Sequence, residues 1–282
     1  MTTVLGVDFT SAPRRAKPIT VARGRLANGA LALEAIERLP DWASFEALLA
    51  RPGPWVGGFD FPFGLPRELV DDLGWPRRWP ALVRHCAALG RSRFRAVLDA
   101  YRMRRPAGRK YAHRATDLPA RSSSPMKLVN PPVALMFLEG APRLLAAGLE
   151  IPTLARGRAP RNARRIALET YPGLLARAVT RASYKNDAPA LQTAARAQAR
   201  ARIVAALRSA ANPLGIRLAA GGAIVQAMRA DASGDTLDAA LCALLAAWGW
   251  GRRRAKYGMP RRVDPLECWI VGAGARWTRP RP

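Results

Sequence analysis

The chain has 282 residues, about half of them apolar, and carries 46 Lys and Arg against 20 Asp and Glu, a formal net charge of +26. That length holds one large core, or one core with an insertion, and the composition is that of a folded protein. The surplus of arginine favours polyanionic partners, DNA or RNA foremost, while three scattered cysteines and only two histidines exclude a disulfide framework, a zinc ribbon and a histidine-rich metal centre.

The start, Met1 to Gly6, has neither a basic leader nor a long apolar segment, so a cytoplasmic location is expected. Val4-Leu5-Gly6-Val7-Asp8-Phe9 reads as a first strand ending in the turn Thr10-Ser11-Ala12-Pro13. Ile19 to Ala22 reads as a second strand and Leu31 to Ile36 as a third, with the hairpin signal Asn28-Gly29 between them. Asp41 then caps a short helix whose Trp42, Phe45, Leu48 and Leu49 share a face. After Pro52-Gly53-Pro54 comes an apolar strand, Trp55 to Asp60. The order β-β-β-α-β implies a helical crossover, so the fourth strand can lie parallel to the first; if the two are neighbours, Asp8 and Asp60 sit together at their carboxyl ends.

From Asp71 to Arg165 the chain is rich in Arg, Pro and Gly, with helical patches at 80–101 and 132–147 and a polar loop over 116–124. We read this as an Arg-rich insertion within one domain spanning 1–282. Arg165 to Glu169 resumes the strand pattern, and Pro172 suits a helix start. An Ala/Arg helix is expected over 188–211, stopped by Asn212-Pro213. The last helix begins near Gly234-Asp235, and Cys268 to Val271 is expected as a short final strand. The longest apolar run, Ala239 to Trp250, is too short to span a bilayer and reads as a buried helix, so no membrane partner is expected.

Five acids stand where this topology brings strand ends and a helix start together. Asp8 and Asp60 end parallel strands, Glu169 ends a third, and Asp235 and Asp238 share a helix face at i, i+3. Carboxylates converging in one cleft repel each other unless a cation neutralises them, and two Mg²⁺ or Mn²⁺ ions about 4 Å apart would both neutralise them and activate water for phosphodiester displacement. With His and Cys scarce, oxygen ligation is the expected kind. Each acid also has a plainer role open to it. Asp8 and Asp60 suit turns, Glu169 suits pairing with an arginine, and Asp235 with Asp238 suits a capping box. Lys127 and Lys185, two of few lysines, read as surface charges sooner than phosphate ligands, and 113–117 and 122–124 as segments that bind phosphate, lie near the metal site or form a solvated loop. No GxSxG, HExxH or Walker motif is present, and Gly272-Ala273-Gly274 lacks the third glycine of a dinucleotide loop.

The runs Gly6-Val7-Asp8-Phe9-Thr10-Ser11-Ala12-Pro13 and Gly58-Phe59-Asp60-Phe61-Pro62-Phe63-Gly64-Leu65-Pro66 resemble the DUF429 family of predicted RNase-H-like nucleases. Glu169-Thr170-Tyr171-Pro172, Asp235-Thr236-Leu237-Asp238-Ala239 and Glu267-Cys268-Trp269-Ile270 are similar to further points of that family. The resemblance implies an α/β, RNase-H-like mixed sheet with helices on both faces, a divalent metal (Mg²⁺ or Mn²⁺), nuclease activity on nucleic acid, and Asp8, Asp60, Glu169, Asp235 and Asp238 on the metal side. In this reading Asp8, Asp60 and Asp238 ligate the metal, and Glu169 or Asp235 orients water. Two alternatives stand beside it. The first strand also resembles the phosphate loop of actin-like and sugar-kinase-like phosphotransferases, and a non-catalytic nucleic-acid-binding protein would carry the same charge.

Overall fold

Residues 2–8 are β-branched or apolar at nearly every position, as befits a strand covered on both faces, and in the computed structural model they form the central strand β1 (Thr2–Asp8). The structure describes residues 1–154, 165–209, 212–275 and 277. Positions 155–164 of the insertion and 210–211 of the expected long helix lie outside the described residues.

In chain order, β1 is followed by β2 (Ile19–Ala27), β3 (Ala30–Leu39), α1 (Trp42–Ala50), β4 (Trp55–Phe59), α2 (Arg67–Asp72), α3 (Trp79–Arg104), α4 (Asp117–Ala120) and α5 (Val133–Ala146). Then come β5 (Arg165–Glu169), α6 (Pro172–Val179), α7 (Ala194–Arg208), β6 (Arg217–Ala220), α8 (Gly222–Ala230) and α9 (Asp235–Gly251). The six strands form one mixed sheet in the order β5-β4-β1-β2-β3-β6. β1, β2 and β3 pair antiparallel, whereas β1–β4, β4–β5 and β3–β6 pair parallel. This is an RNase-H-like topology, and helices cover both faces.

Local chemistry explains the framework. Asn28 and Gly29 both have positive φ (47° and 70°), the two left-handed positions of a type I′ hairpin turn whose twist matches the flanking strands. Asp41 accepts the Ser44 N–H at 2.8 Å, capping α1 as the sequence predicts. Leu5, Val7 and Phe9 point to one face, where Phe45 and Leu48 of α1 meet Leu82, Phe94 and Phe137 of the segment between β4 and β5 in one apolar cluster. The alternate residues, with Val4, Val56, Ile166 and Leu168, meet α7 and α9 on the other face. Every residue of α9 from Asp235 to Gly249 is buried, so it lacks the polar stripe of a surface helix. No helix among the described residues is long and apolar enough to cross a membrane.

Three expectations need correction. Cys268 to Val271 is not a strand. Cys268 sits at φ 57°, and Ile270 and Val271 donate to Thr116 Oγ1 and the Glu169 carbonyl instead of to a strand ladder. The Ala/Arg helix starts at Ala194, not 188, because Thr193 caps it and a 3-10 turn fills Pro189–Leu191. The 116–124 loop is only partly solvated: it contains α4, and Thr116, Asp117 and Ser124 are buried while Leu118, Pro119 and Arg121 are exposed. The sequence reading also missed β6 and α8. β6 offers only one buried apolar side chain, Leu218, and no alternation to read.

Candidate functional site

The site begins with strand register. Gly6 pairs with Gly58 and Val7 with Phe59, and the Asp60 N–H donates to the Val7 carbonyl at 2.9 Å. Asp8 and Asp60 therefore lie side by side at the carboxyl ends of two parallel strands, where open α/β sheets bind ligands. Side chains two residues apart on a strand share a face, so both acids are on the face that carries Gly6 and Gly58. That face is pressed onto α9. A Cβ on Gly6 would lie 2.0 Å from the Ala239 carbonyl oxygen, and one on Gly58 would lie 2.4 Å from that of Cys242. The same close approach sets the first turn of α9, with Asp235 and Asp238, beside the two strand ends.

Neither the Asp8 nor the Asp60 carboxylate accepts a hydrogen bond from a described residue, and both are half-buried. Burial, then the like charges of Asp238, Asp235 and Asp60, push the Asp8 carboxyl well above its ordinary range against the pull of Lys185. Burial also pushes Asp60 up to about 7, with Lys185 pulling the other way and Asp238 and Glu169 adding to the rise. Asp238 is fully buried. It accepts the Tyr184 hydroxyl at 2.6 Å and pairs with the Lys185 ammonium, yet burial still raises its pKa. The aliphatic stem of Lys185 crosses Gly234, where a Cβ would lie 2.8 Å from it. Asp235 is tied to Lys17 at 2.9 and 3.0 Å, and Lys17 also reaches Asp187 at 2.9 Å. The N-cap of α9 is not Asp235 but Gly234, and Asp231, further upstream, accepts from the Thr236 N–H and hydroxyl at 2.9 and 2.7 Å.

Glu169 does not join this group. It pairs in register with Phe59, one residue short of Asp60, and so faces the opposite side of the sheet. Arg114 grips it with two bonds of 2.7 and 2.9 Å, and the Phe63 N–H adds a third at 2.9 Å. The same guanidinium bonds Asp117 at 2.9 Å and the Glu267 carbonyl at 2.9 Å. The Glu267 carboxylate receives the Arg67 and Ala115 N–H groups at 2.9 and 2.8 Å. This buried network ties four distant segments together beneath the strand ends. On β5 the counterpart of Asp60 is Thr170, whose N–H donates to the Phe59 carbonyl.

The structure thus brings Asp8, Asp60 and Asp238 together, sets Asp235 at their edge and turns Glu169 away. Sequence reasoning missed Lys185, Tyr184, Lys17 and Arg114 as parts of the arrangement. The adjacency of Tyr184 and Lys185, each reaching Asp238 across about 50 residues, leaves no local pattern. Among the described residues no three His, Cys, Asp or Glu side chains enclose a cation on their own. The donor set nevertheless fits Mg²⁺ or Mn²⁺, since such ions are commonly held by one or two carboxylates with water and substrate oxygens completing the shell. Asp8 and Asp60 are two adjacent carboxylates that accept no hydrogen bond from a described residue, with the Lys185 ammonium the positive charge acting on both.

A mixed RNase-H-like sheet with paired acids at the ends of its central parallel strands defines the class of protein. Residues 6–262 match a family described as proteins of unknown function, DUF429, and the chain belongs to that family. No curated protein and no solved structure matches it.

Proposed function

We propose that this protein is a divalent-metal-dependent nuclease, a phosphodiester hydrolase acting on nucleic acid. One observation carries the reading. Asp8 and Asp60 stand adjacent on parallel strands, accepting no hydrogen bond from a described residue and with raised pKa values, facing the first turn of α9. Two carboxylates kept together without a partner are destabilising unless a ligand repays the repulsion. Asp8 and Asp60 would hold Mg²⁺ or Mn²⁺, which when bound supplies a water of lowered pKa and charge for the leaving oxygen. Asp238 would complete the shell, with Lys185 holding it in place until then. Lys17 fixes Asp235 at the rim and leaves it a role in orienting water, whereas Glu169 serves as the anchor for Arg114. The surplus of 26 positive charges supports a nucleic-acid substrate.

The test is Asp8→Asn in purified protein with Mg²⁺ or Mn²⁺ and a panel of DNA and RNA substrates. Loss of cleavage with an unchanged melting profile is expected, and unchanged cleavage would sink the proposal. A second reading, non-catalytic nucleic-acid binding, is favoured by the Lys185 ammonium, which already supplies a positive charge beside the three acids. Tight binding that ignores EDTA, without cleavage of any substrate, would establish it. Among the described residues there is one sheet, so nothing favours the two-lobed phosphotransferase alternative.

A further inference from the structure

Away from the carboxylates, the segment joining α3 to α4 forms an open cavity of about 380 Å³, lined by Glu68, Arg105, Arg109, Lys110, Tyr111 and His113 among others. That volume lies in the range of small-ligand pockets. Its frame is fixed from within. Arg105 bonds Glu68 at 2.7 Å, the Tyr101 hydroxyl at 2.6 Å and the Arg109 carbonyl at 2.6 Å. At the other end Ala112 is buried, its carbonyl accepting from Ser124 Oγ and its N–H donating to Met126 Sδ. Arg114, the next residue but one, is locked onto Glu169 at the end of β5. The cavity is therefore anchored to the same end of the sheet as the paired aspartates.

The wall is positive and uncompensated. Among the described residues no carboxylate pairs with Arg109, Lys110 or His113, all of which are exposed, and the one lining acid, Glu68, is taken by Arg105. α3, which leads into the cavity, carries six arginines and a single acid, Asp99. Elsewhere the chain does pair its arginines where acids are at hand, as with Arg23, Arg25 and Arg51 on Glu34 and Glu37.

We propose that this cavity is a phosphate-binding subsite that seats one or two backbone phosphates of a single-stranded nucleic acid. An arginine fork, an ammonium and an imidazole lining one opening suit a phosphodiester in charge and in donor type. A loop held at both ends gives up little freedom on binding. The subsite names where the substrate of the proposed nuclease is gripped and so rests on that reading for its purpose, but its binding is measured without metal.

The experiment is fluorescence polarisation of a labelled 20-nucleotide single strand with the full chain in EDTA. Arg109 and Lys110 are exposed and pair with no carboxylate among the described residues, so the double variant R109A/K110A is expected to keep the wild-type melting temperature. Each single-strand phosphate contact adds about 0.7 to the salt exponent of binding. The variant is therefore expected to bind about 25-fold more weakly at 0.1 M salt, with a salt slope shallower by about 1.4. The control R202A/R208A removes two exposed charges of α7 and should stay within about threefold of wild type. Equal losses in both double variants would overturn the subsite, since the binding would then be diffuse. So would micromolar displacement of the strand by pyrophosphate alone, which marks a site for small phosphates. If D8N retains cleavage while R109A/K110A loses binding, the nuclease reading falls and the subsite stands. The reverse pattern leaves the nuclease and removes the subsite.

Discussion

Gly6 on β1 and Gly58 on β4 are register partners, and both touch the main chain of α9 where any side chain would collide. Two residues further on, each strand presents its aspartate. The repeated Gly-x-Asp therefore sets helix contact and acid placement in a single stroke, and replacing the glycine should disturb both. Gly6→Ala forces a methyl to within 2.0 Å of the Ala239 carbonyl. A backbone clash cannot be relieved by a rotamer change, so a loss of about 3 kcal/mol or more is expected in urea denaturation. Gly222→Ala, at the start of α8 with nothing within 4 Å, should be neutral or stabilising by up to about 1 kcal/mol.

The raised pKa of Asp60 gives a pH dependence with a definite sign. An unfolded aspartate titrates near about 3.9, whereas Asp60 in the fold titrates at about 7. Between those values the folded chain binds more protons than the unfolded one, so this residue makes stability fall as pH rises through that window. Asp60→Asn should raise the melting temperature of the metal-free protein at pH 8 and change it little at pH 4. An equal effect at both pH values in a thermal-shift series would refute the assignment. By the same linkage, the Mn²⁺-induced stabilisation of the wild type should grow from pH 5.5 to pH 8.

Arg114 and Glu169 should behave as structure and not as chemistry. Arg114→Ala strands Asp117 and Glu169 without a counter-charge in the interior, and losses of this kind run to about 3–5 kcal/mol. Glu169→Gln keeps the shape and the Phe63 bond. Its turnover, corrected for folded fraction, should stay within a few-fold of wild type under conditions where Asp8→Asn is inactive. Complete loss of turnover in well-folded Glu169→Gln would return that residue to the reacting centre.

Lys185 supplies the positive charge next to Asp238 before any ion arrives. Lys185→Met should lower the metal-free melting temperature, because Asp238 then keeps only the Tyr184 hydroxyl. It should also enlarge the Mn²⁺-induced shift, because an ion no longer competes with the ammonium. A smaller shift than wild type would show that Lys185 helps to bind the ion or its ligand.

Legibility in the sequence followed the range over which each signal acts. The meander, the type I′ turn at Asn28-Gly29 and the Asp41 cap are local, and they were readable residue by residue. The pairing of Asp8 with Asp60 was readable as far as the helical crossover that lets β4 run parallel to β1, and the strand register makes the two neighbours. Glu169 was not, since period-two alternation makes a single-residue difference in register reverse the face. Phe59, and not Asp60, is its partner. Lys17, Tyr184 and Lys185 reach the acids from loops whose course only the packed structure decides.

β1 and α9 lie far apart in sequence, yet the two are in direct main-chain contact through Gly6. During synthesis the ends of β1 and β4 stand ready for some 170 residues with no helix to close over them. The acidic group is assembled only once Gly251 has cleared the ribosome. A chain truncated before that point has Asp8 and Asp60 but neither Asp238 nor the surface that seats them, so the group of acids cannot exist in a nascent chain that ends before α9.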